Sequence, residues 1–272
     1  YGLDLSPVGE DTDKFVDYLA DTVAPLGGTT EVTSYPSGSE LNGWRVPDAW
    51  KVEELSLRSR EREVYSDTNP LAVWGLSKSY SGQVGLVGMA GHLLTDRALP
   101  SAIPWHWKWY YSPEEIDWGV SVPFEKLSAW GMTPVEVSLQ TSAKPHYMRV
   151  FEWTLPGDKE DYYVLNAHNC HPRQANDNLS GCVAALGAMA HLSTRRKRRY
   201  TYKLLICPEL LGTVFWLESL NRAPVTRLPL GAILLKAVGR GGPLRGQLSF
   251  NESRLISRAL NHLPLDVLPF RQ

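Results

Sequence analysis

The chain of 272 residues has only three cysteines, Cys170, Cys182 and Cys207, an odd number too small for a secreted disulfide framework. A reducing compartment, the cytoplasm, is therefore expected. No apolar run is long enough to cross a bilayer and no secretory signal opens the sequence, so no membrane partner is expected. An excess of charge of one sign is missing too. Against 29 acidic residues stand 28 basic ones, a net charge of −1, which lacks the basic footprint that nucleic acid or an anionic membrane would call for. The one basic run, Arg195–Arg199, reads as a solvated turn between a helix and a strand. There is no internal repeat and no low-complexity segment. The chain opens on Tyr1 rather than Met and ends at Gln272 without a stop signal, so further residues are expected beyond both ends.

What is present is globular. With 43% hydrophobic and 21% charged residues, the length is ample for a core and for one or two domains. Aromatic residues are abundant (10 Trp and 12 Tyr), and several crowd into Trp105–Tyr111. Such a cluster either packs inside a β-domain or lines a pocket. Phe15, Leu19 and Val23 recur at helical spacing, which predicts a helix over Asp13–Val23 that Gly27 and Gly28 end. From about Glu31 to Pro156, short β-branched and aromatic runs alternate with Pro, Gly, Ser and Asn. Trp44–Pro47, Leu71–Trp74 and Val135–Leu139 are the strand candidates there.

From Asp161 the pattern changes. Tyr162–Ala167, Tyr200–Ile206 and Gly231–Leu235 read as buried strands. Leu179–Leu192, Thr213–Leu220 and Glu252–Leu260 read as helices. Strand and helix in alternation predict an α/β fold with a parallel or mixed, doubly wound sheet. In such sheets chemistry collects beyond the carboxyl ends of the strands.

Two connections carry chemistry-bearing residues. The first, Ala167–Gly181, joins a strand to a helix and holds His168, Cys170, His171 and Asp177. Imidazole nitrogen and carboxylate oxygen are zinc ligands. The same residues also fit hydrogen-bonded core histidines, and Asp177 with Asn178 fits a helix cap. The second connection, Cys207–Thr213, follows the next strand and carries Glu209. If the two loops converge, Glu209 is either a metal ligand or the base that moves a proton from water to a leaving amine. It also fits an exposed carboxylate at a helix start.

The loop from His168 to Gly181, ending Asn-Asp-Asn-Leu-Ser-Gly, resembles the metal-binding loop of co-catalytic zinc aminopeptidases with the phosphorylase/hydrolase-like fold. More closely, the chain is similar to a bacterial aminopeptidase-like family found in polysaccharide and natural-product gene clusters. Cys170-His171-Pro172, Asn176–Gly181, Pro208-Glu209 with Gly212-Thr213, Tyr35–Gly38, Trp44–Pro47 with Trp50, Ala102–Pro104, Tyr110-Tyr111 and Trp118-Gly119 carry the similarity, in order, over roughly Asp13–Leu260. The resemblance implies a zinc-peptidase-like domain made of 1–30 and 157–272, with a β-rich module, 31–156, inserted into it. It places His168 as first ligand, nine residues before Asp177, which matches a metal-bridging carboxylate. Glu209 matches the loop that supplies base and ligand, and His171 is a ligand or supports one. Three departures stand out: Cys170 replaces an acidic residue, Pro208 precedes a lone Glu209, and Lys236 occupies a ligand position after the third strand. A late ligand histidine is expected beyond Gln272, His262 being poorly placed for it. Lys236 would repel a second cation or stand in for one by neutralising a carboxylate, so one zinc ion rather than two, or none, is expected.

Three functions fit. The first is metal-dependent hydrolysis of a small peptide or amide substrate, with His168, His171, Asp177 and Glu209 as the metal set and Glu209 as the catalytic residue. The second is a non-catalytic descendant that binds peptide or sugar through the Trp105–Tyr111 aromatics. The third is thiol chemistry at Cys170 beside His168 or His171.

Overall fold

The computed structural model describes residues 2–59, 62–106, 117–127, 130, 133–222, 228–249 and 255–269. The chain divides into two compact units, Gly2–Glu10 with Tyr35–Met148, and Asp11–Ser34 with Arg149–Gln272. In chain order the main elements are α1 (Glu10–Val23), β1 (Thr29–Pro36), β2 (Ala49–Ser59), β3 (Arg62–Asp67), β4 (Tyr80–Val84), β5 (Val135–Lys144), β6 (Tyr147–Leu155), β7 (Lys159–His168), α2 (Leu179–Ser193), β8 (Tyr200–Cys207), α3 (Leu211–Arg222) and β9 (Gly231–Leu234).

The β-rich unit is organised by one antiparallel sheet in the order β3-β2-β5-β4. Alternation explains it: Leu55 and Leu57 of β2 face Leu139 and Val137 of β5 in register, and all four are buried. Val120, Val122, Trp118 and Trp130 complete that core. Leu71–Trp74 is not a strand. Asn69 accepts a hydrogen bond from Leu71 N–H at 3.1 Å, and Pro70 opens a 3-10 turn over Pro70–Ala72. An Asn cap followed by proline starts a helical turn, and this overrides the β-branched composition. Of the aromatic cluster, Trp105 and His106 are described, with His106 stacked on Trp74 at 3.8 Å. Residues 107–111 lie outside the described residues.

The α/β unit carries a mixed sheet in the order β1-β6-β8-β7-β9. Strand β7 lies parallel to both β8 and β9, and β6 is antiparallel to β8. The elements read from periodicity in this unit appear with ends shifted by no more than three residues. The helix read over Glu252–Leu260 is seen from Leu255, its first three residues lying outside the described ones. In β8, Leu204, Leu205, Ile206 and Cys207 are all buried, the continuous apolar run of a strand covered on both faces. Strands β1 and β6, whose residues fall largely within 31–156, pair in this sheet. Their short apolar runs are compatible with either unit, and only strand pairing decides between them.

Helix α1 turns Phe15, Val16, Leu19 and Val23 inward and ends in a turn where Gly27 and Gly28 have φ of 76° and 83°. At Gly28 a Cβ would meet the Thr154 carbonyl oxygen at 2.3 Å, so glycine is required for both space and backbone sign. The basic run forms the turn after α2. There the Arg198 guanidinium donates to the carbonyls of Leu192, Ser193 and Arg195, tying the turn to the helix end. No helix among the described residues is long and apolar enough to cross a membrane.

Candidate metal centre

Parallel pairing places the site. His168, the last residue of β7, stands in register with Cys207, the last of β8, and Asn169 N–H donates to the Cys207 carbonyl at 3.1 Å. The connections that leave these two strands therefore begin side by side. Lys236 follows β9, on the other flank of β7. Three consecutive parallel strands thus deliver His168, Glu209 and Lys236 to one end of the sheet.

The loop from Asn169 to Asn178 is held by side-chain amides. Asn176 Oδ1 accepts from Gly239 N–H at 2.8 Å. Asn178 donates from Nδ2 to the Leu235 carbonyl at 2.9 Å and accepts at Oδ1 from Ala237 N–H at 3.0 Å. Asn178 occupies the N-cap position of α2, yet its side chain makes no capping bond. Its amide joins this loop to the one after β9. Capping is thus excluded for Asn178, and Asp177 presents a half-exposed carboxylate.

The side chains converge. His168 Nε2 lies 3.3 Å from Asp177 Oδ1 and 3.8 Å from Glu209 Oε1. His171 Nε2 lies 4.0 Å from Asp177 Oδ2, while its Nδ1 contacts the Pro172 carbonyl at 3.0 Å. Lys236 Nζ donates to Glu209 Oε1 at 2.6 Å and lies 4.0 Å from Asp177 Oδ1. Behind them, Cys170 Sγ touches His168 Nδ1 at 3.3 Å and Glu209 Oε2 at 3.8 Å. All four residues singled out in the sequence, His168, His171, Asp177 and Glu209, are brought together. His262 is not among them and stands in an exposed turn after the Leu255–Leu260 helix.

The fit to a zinc ion rests on one atom. His168 is 3% exposed, and its Nε2 has no hydrogen-bond partner although two carboxylates lie beside it. A buried imidazole nitrogen left in this way costs stability unless something else binds it. Tetrahedral zinc ligands stand about 3.5 Å apart, given Zn–N and Zn–O bonds of about 2.1 Å. The His168–Asp177 separation of 3.3 Å matches that spacing, His171 stands further from Asp177 at 4.0 Å, and the three donors that gather within 4.8 Å are His168, Cys170 and Glu209.

Charge prepares the donors. Burial is the largest influence on His168 and outweighs the pull of Glu209 and Asp177, so its pKa falls below the ordinary imidazole value and the ring is neutral near pH 7. At Glu209 burial raises the pKa, but the Lys236 hydrogen bond and nearby charge outweigh it and hold the group ionised below the usual carboxylate range. Burial pushes the Cys170 thiol well up, and the Glu209 and Asp177 carboxylates push it further. Although Cys170 does touch an imidazole, it stays a thiol, which argues against its use as a nucleophile. The sequence reading missed two things here. One is Cys170 as a candidate donor, which with His168 and Glu209 forms a group whose ligand atoms lie within 4.8 Å of one another. The other is the amide clamp of Asn178, whose signal in the sequence is indistinguishable from a helix cap.

The fold defines the class: a mixed α/β sheet shared with aminopeptidase structures. It is similar to the crystal structure of a "putative peptidase" from Clostridium acetobutylicum, with a TM-score of 0.79 at 22% identity over 99% of this chain and 63% of that one. It is similar also to BSAP, a zinc aminopeptidase from Bacillus subtilis, with a TM-score of 0.62 at 13% identity over 95% of this chain and 71% of that one. The chain belongs to the family described as "Domain of unknown function (DUF4910)", which it matches over residues 1–267. A curated relative from Clostridium acetobutylicum, named "Putative polysaccharide biosynthesis protein with aminopeptidase-like domain", is 27% identical over 214 residues, 78% of this chain. The chain spans about half the length of that relative, 48%.

Proposed function

We propose that this protein is a zinc-dependent hydrolase of amide or peptide bonds, with one ion held by His168, His171 and Asp177 and with Glu209 as the catalytic base. The observation that carries the proposal is the unpartnered, buried Nε2 of His168 beside carboxylates from two different loops. When bound, such an ion polarises the scissile carbonyl and makes hydroxide available near neutral pH.

The remaining work falls to the chain. At His171, the Pro172 carbonyl beside Nδ1 favours the proton there and turns the Nε2 lone pair toward Asp177. The Cys170 thiol does the corresponding task at Nδ1 of His168. Lys236 donates to Oε1 of Glu209 and the Cys170 thiol lies 3.8 Å from Oε2, so Glu209 acts as base once the attacking water replaces one of these contacts, taking its proton and returning it to the departing amine. The substrate class is a small peptide or amide of biosynthetic origin, in keeping with the polysaccharide wording of the relative's name. Three free, buried cysteines suit a cytoplasmic setting.

Elemental analysis after zinc loading, paired with assays on aminoacyl amides, tests the reading. Glu209→Gln is expected to keep zinc and lose about 10²–10⁴-fold in turnover. Absence of zinc at micromolar supply would sink the proposal. One observation favours a second reading, a non-catalytic binder of peptide or sugar: Lys236 neutralises Glu209 without any metal. In that case Glu209→Gln leaves the affinity for such a ligand unchanged and no amide is cleaved by either protein.

A further inference from the structure

We infer that the Lys236 ammonium is a built-in second cation of this centre, standing beside Glu209 and Asp177 so that only one divalent ion is accepted. The inference rests on the proposed metal ion at His168 and Asp177, and it assigns to Lys236 a role in deciding how many ions bind.

Geometry comes first. Lys236 Nζ is 2.6 Å from Glu209 Oε1 and 4.0 Å from Asp177 Oδ1, so it faces the same two carboxylates that face His168 Nε2. The position is constructed from the backbone. Leu235 N–H donates to the Asn166 carbonyl at 2.9 Å, extending the β7 pairing past the end of β9. The Asn178 amide then grips the residue before Lys236 and the residue after it, through the Leu235 carbonyl and the Ala237 N–H. Asn178 is the immediate neighbour of Asp177, so one side chain sets the carboxylate and the ammonium relative to each other. A solvated surface lysine has no such bracket.

Charge then limits the occupancy. Asp177 and Glu209 bring two negative charges, and His168 is neutral as a ligand. The ammonium cancels one of them. A single divalent ion on His168 and Asp177 completes the balance with a modest positive excess. A second divalent ion beside Glu209 would meet an ammonium bonded to the same oxygen, and the repulsion doubles because the ion is doubly charged. Lysine also offers no lone pair while protonated. The result is a site with a hydrogen-bonded cation on one side and the unpartnered Nε2 of His168 on the other.

The test counts ions. Metal-free protein is titrated with Co(II) and with Zn(II), with stoichiometry read by elemental analysis and by calorimetry, and with Co(II)–Co(II) spin coupling read by electron paramagnetic resonance. Wild type is expected to bind one ion with no coupling. Lys236→Asp, which supplies carboxylate oxygens in place of the ammonium, is expected to bind two ions with a coupled signal. Lys236→Asn, with a neutral oxygen, serves as the second variant and is expected to bind its second ion at least tenfold more tightly than wild type does. Two ions in wild type overturn the inference and leave the hydrolase reading standing. So does one ion in both folded variants. No ion in wild type removes the hydrolase reading itself, and the inference with it.

Discussion

The β-rich unit buries leucine, valine and aromatic rings: Leu55, Leu57, Val135, Val137 and Leu139 across paired strands, with Trp118 stacked between Tyr80 and His92. The α/β unit has an apolar layer of the same kind in Val150, Phe151, Trp153, Leu204 and Ile206. Beyond the carboxyl ends of β7 and β8, however, it also buries His168, Asn169, Cys170 and Gln174. The His168 and Asn169 side chains and the Gln174 Oε1 oxygen keep polar atoms without partners there. Among the described residues this is where three potential metal-ligating groups gather. Thr95 Oγ1, Ser121 Oγ and Trp130 Nε1 of the β-rich unit are buried without partners as well, so the contrast lies in clustering: at the end of β7 such atoms stand beside ionisable groups that converge.

Two substitutions sharpen the contrast. Leu57→Ala in the centre of β2 removes a fully buried side chain, and a loss of about 2–5 kcal/mol is expected in denaturant unfolding. Zinc bound per folded chain should not change. Asn178→Ala should act the other way. It leaves the Leu235 carbonyl and Ala237 N–H without their partner, at about 1–3 kcal/mol. It should also weaken zinc by about 10–100-fold, because the clamp that places Asp177 is gone. Calorimetric zinc titration of both variants decides the matter: equal losses of zinc affinity would erase the distinction.

Much of the α/β unit was legible because its signals are local. Continuous apolar runs mark β7 and β8, and glycine-rich and alanine-rich spacing marks α2. The rule that loops after parallel strands share a crevice then linked His168 to Glu209 before any coordinate did. What stayed hidden is non-local. Nothing in β6 announces that it pairs with β8, because Met148, Val150, Trp153 and Leu155 would suit either sheet. The role of Asn178 depends on where Leu235 and Ala237 lie, far along the chain. The turn at Pro70 was readable in principle, since Asn-Pro starts turns, but the valine and tryptophan that follow suggested a strand.

A smaller effect concerns pH. His168 is held neutral in the fold, chiefly by burial, in a setting that also contains Glu209, Asp177, Lys236 and His171. Because its folded pKa is below the unfolded value of about 6.5, the unfolded chain binds the extra proton as pH falls through that window. Metal-free protein should therefore lose stability between pH 7 and the lowered folded pKa, by no more than about 1.4 kcal/mol per pH unit. The His168→Asn variant should show a flatter profile over the same range. An unchanged slope would move the burden of acid sensitivity to another group.

The smallest expected effect is no reaction at all. Cys170, Cys182 and Cys207 are free and buried in the α/β unit. Burial pushes the Cys182 and Cys207 thiols up to about 12 and the Cys170 thiol higher, since Glu209 and Asp177 lie beside it. A thiol reacts as its thiolate, so iodoacetamide at pH 7.5 should modify none of the three in the folded protein and all three after unfolding in denaturant. Mass spectrometry of intact protein counts the added groups. Rapid, single-site alkylation of native Cys170 with matching loss of activity would return the nucleophile reading that its burial argues against. Protection of Cys170 by zinc alone, with ready alkylation in metal-free protein, would instead make its sulfur a direct donor to the ion.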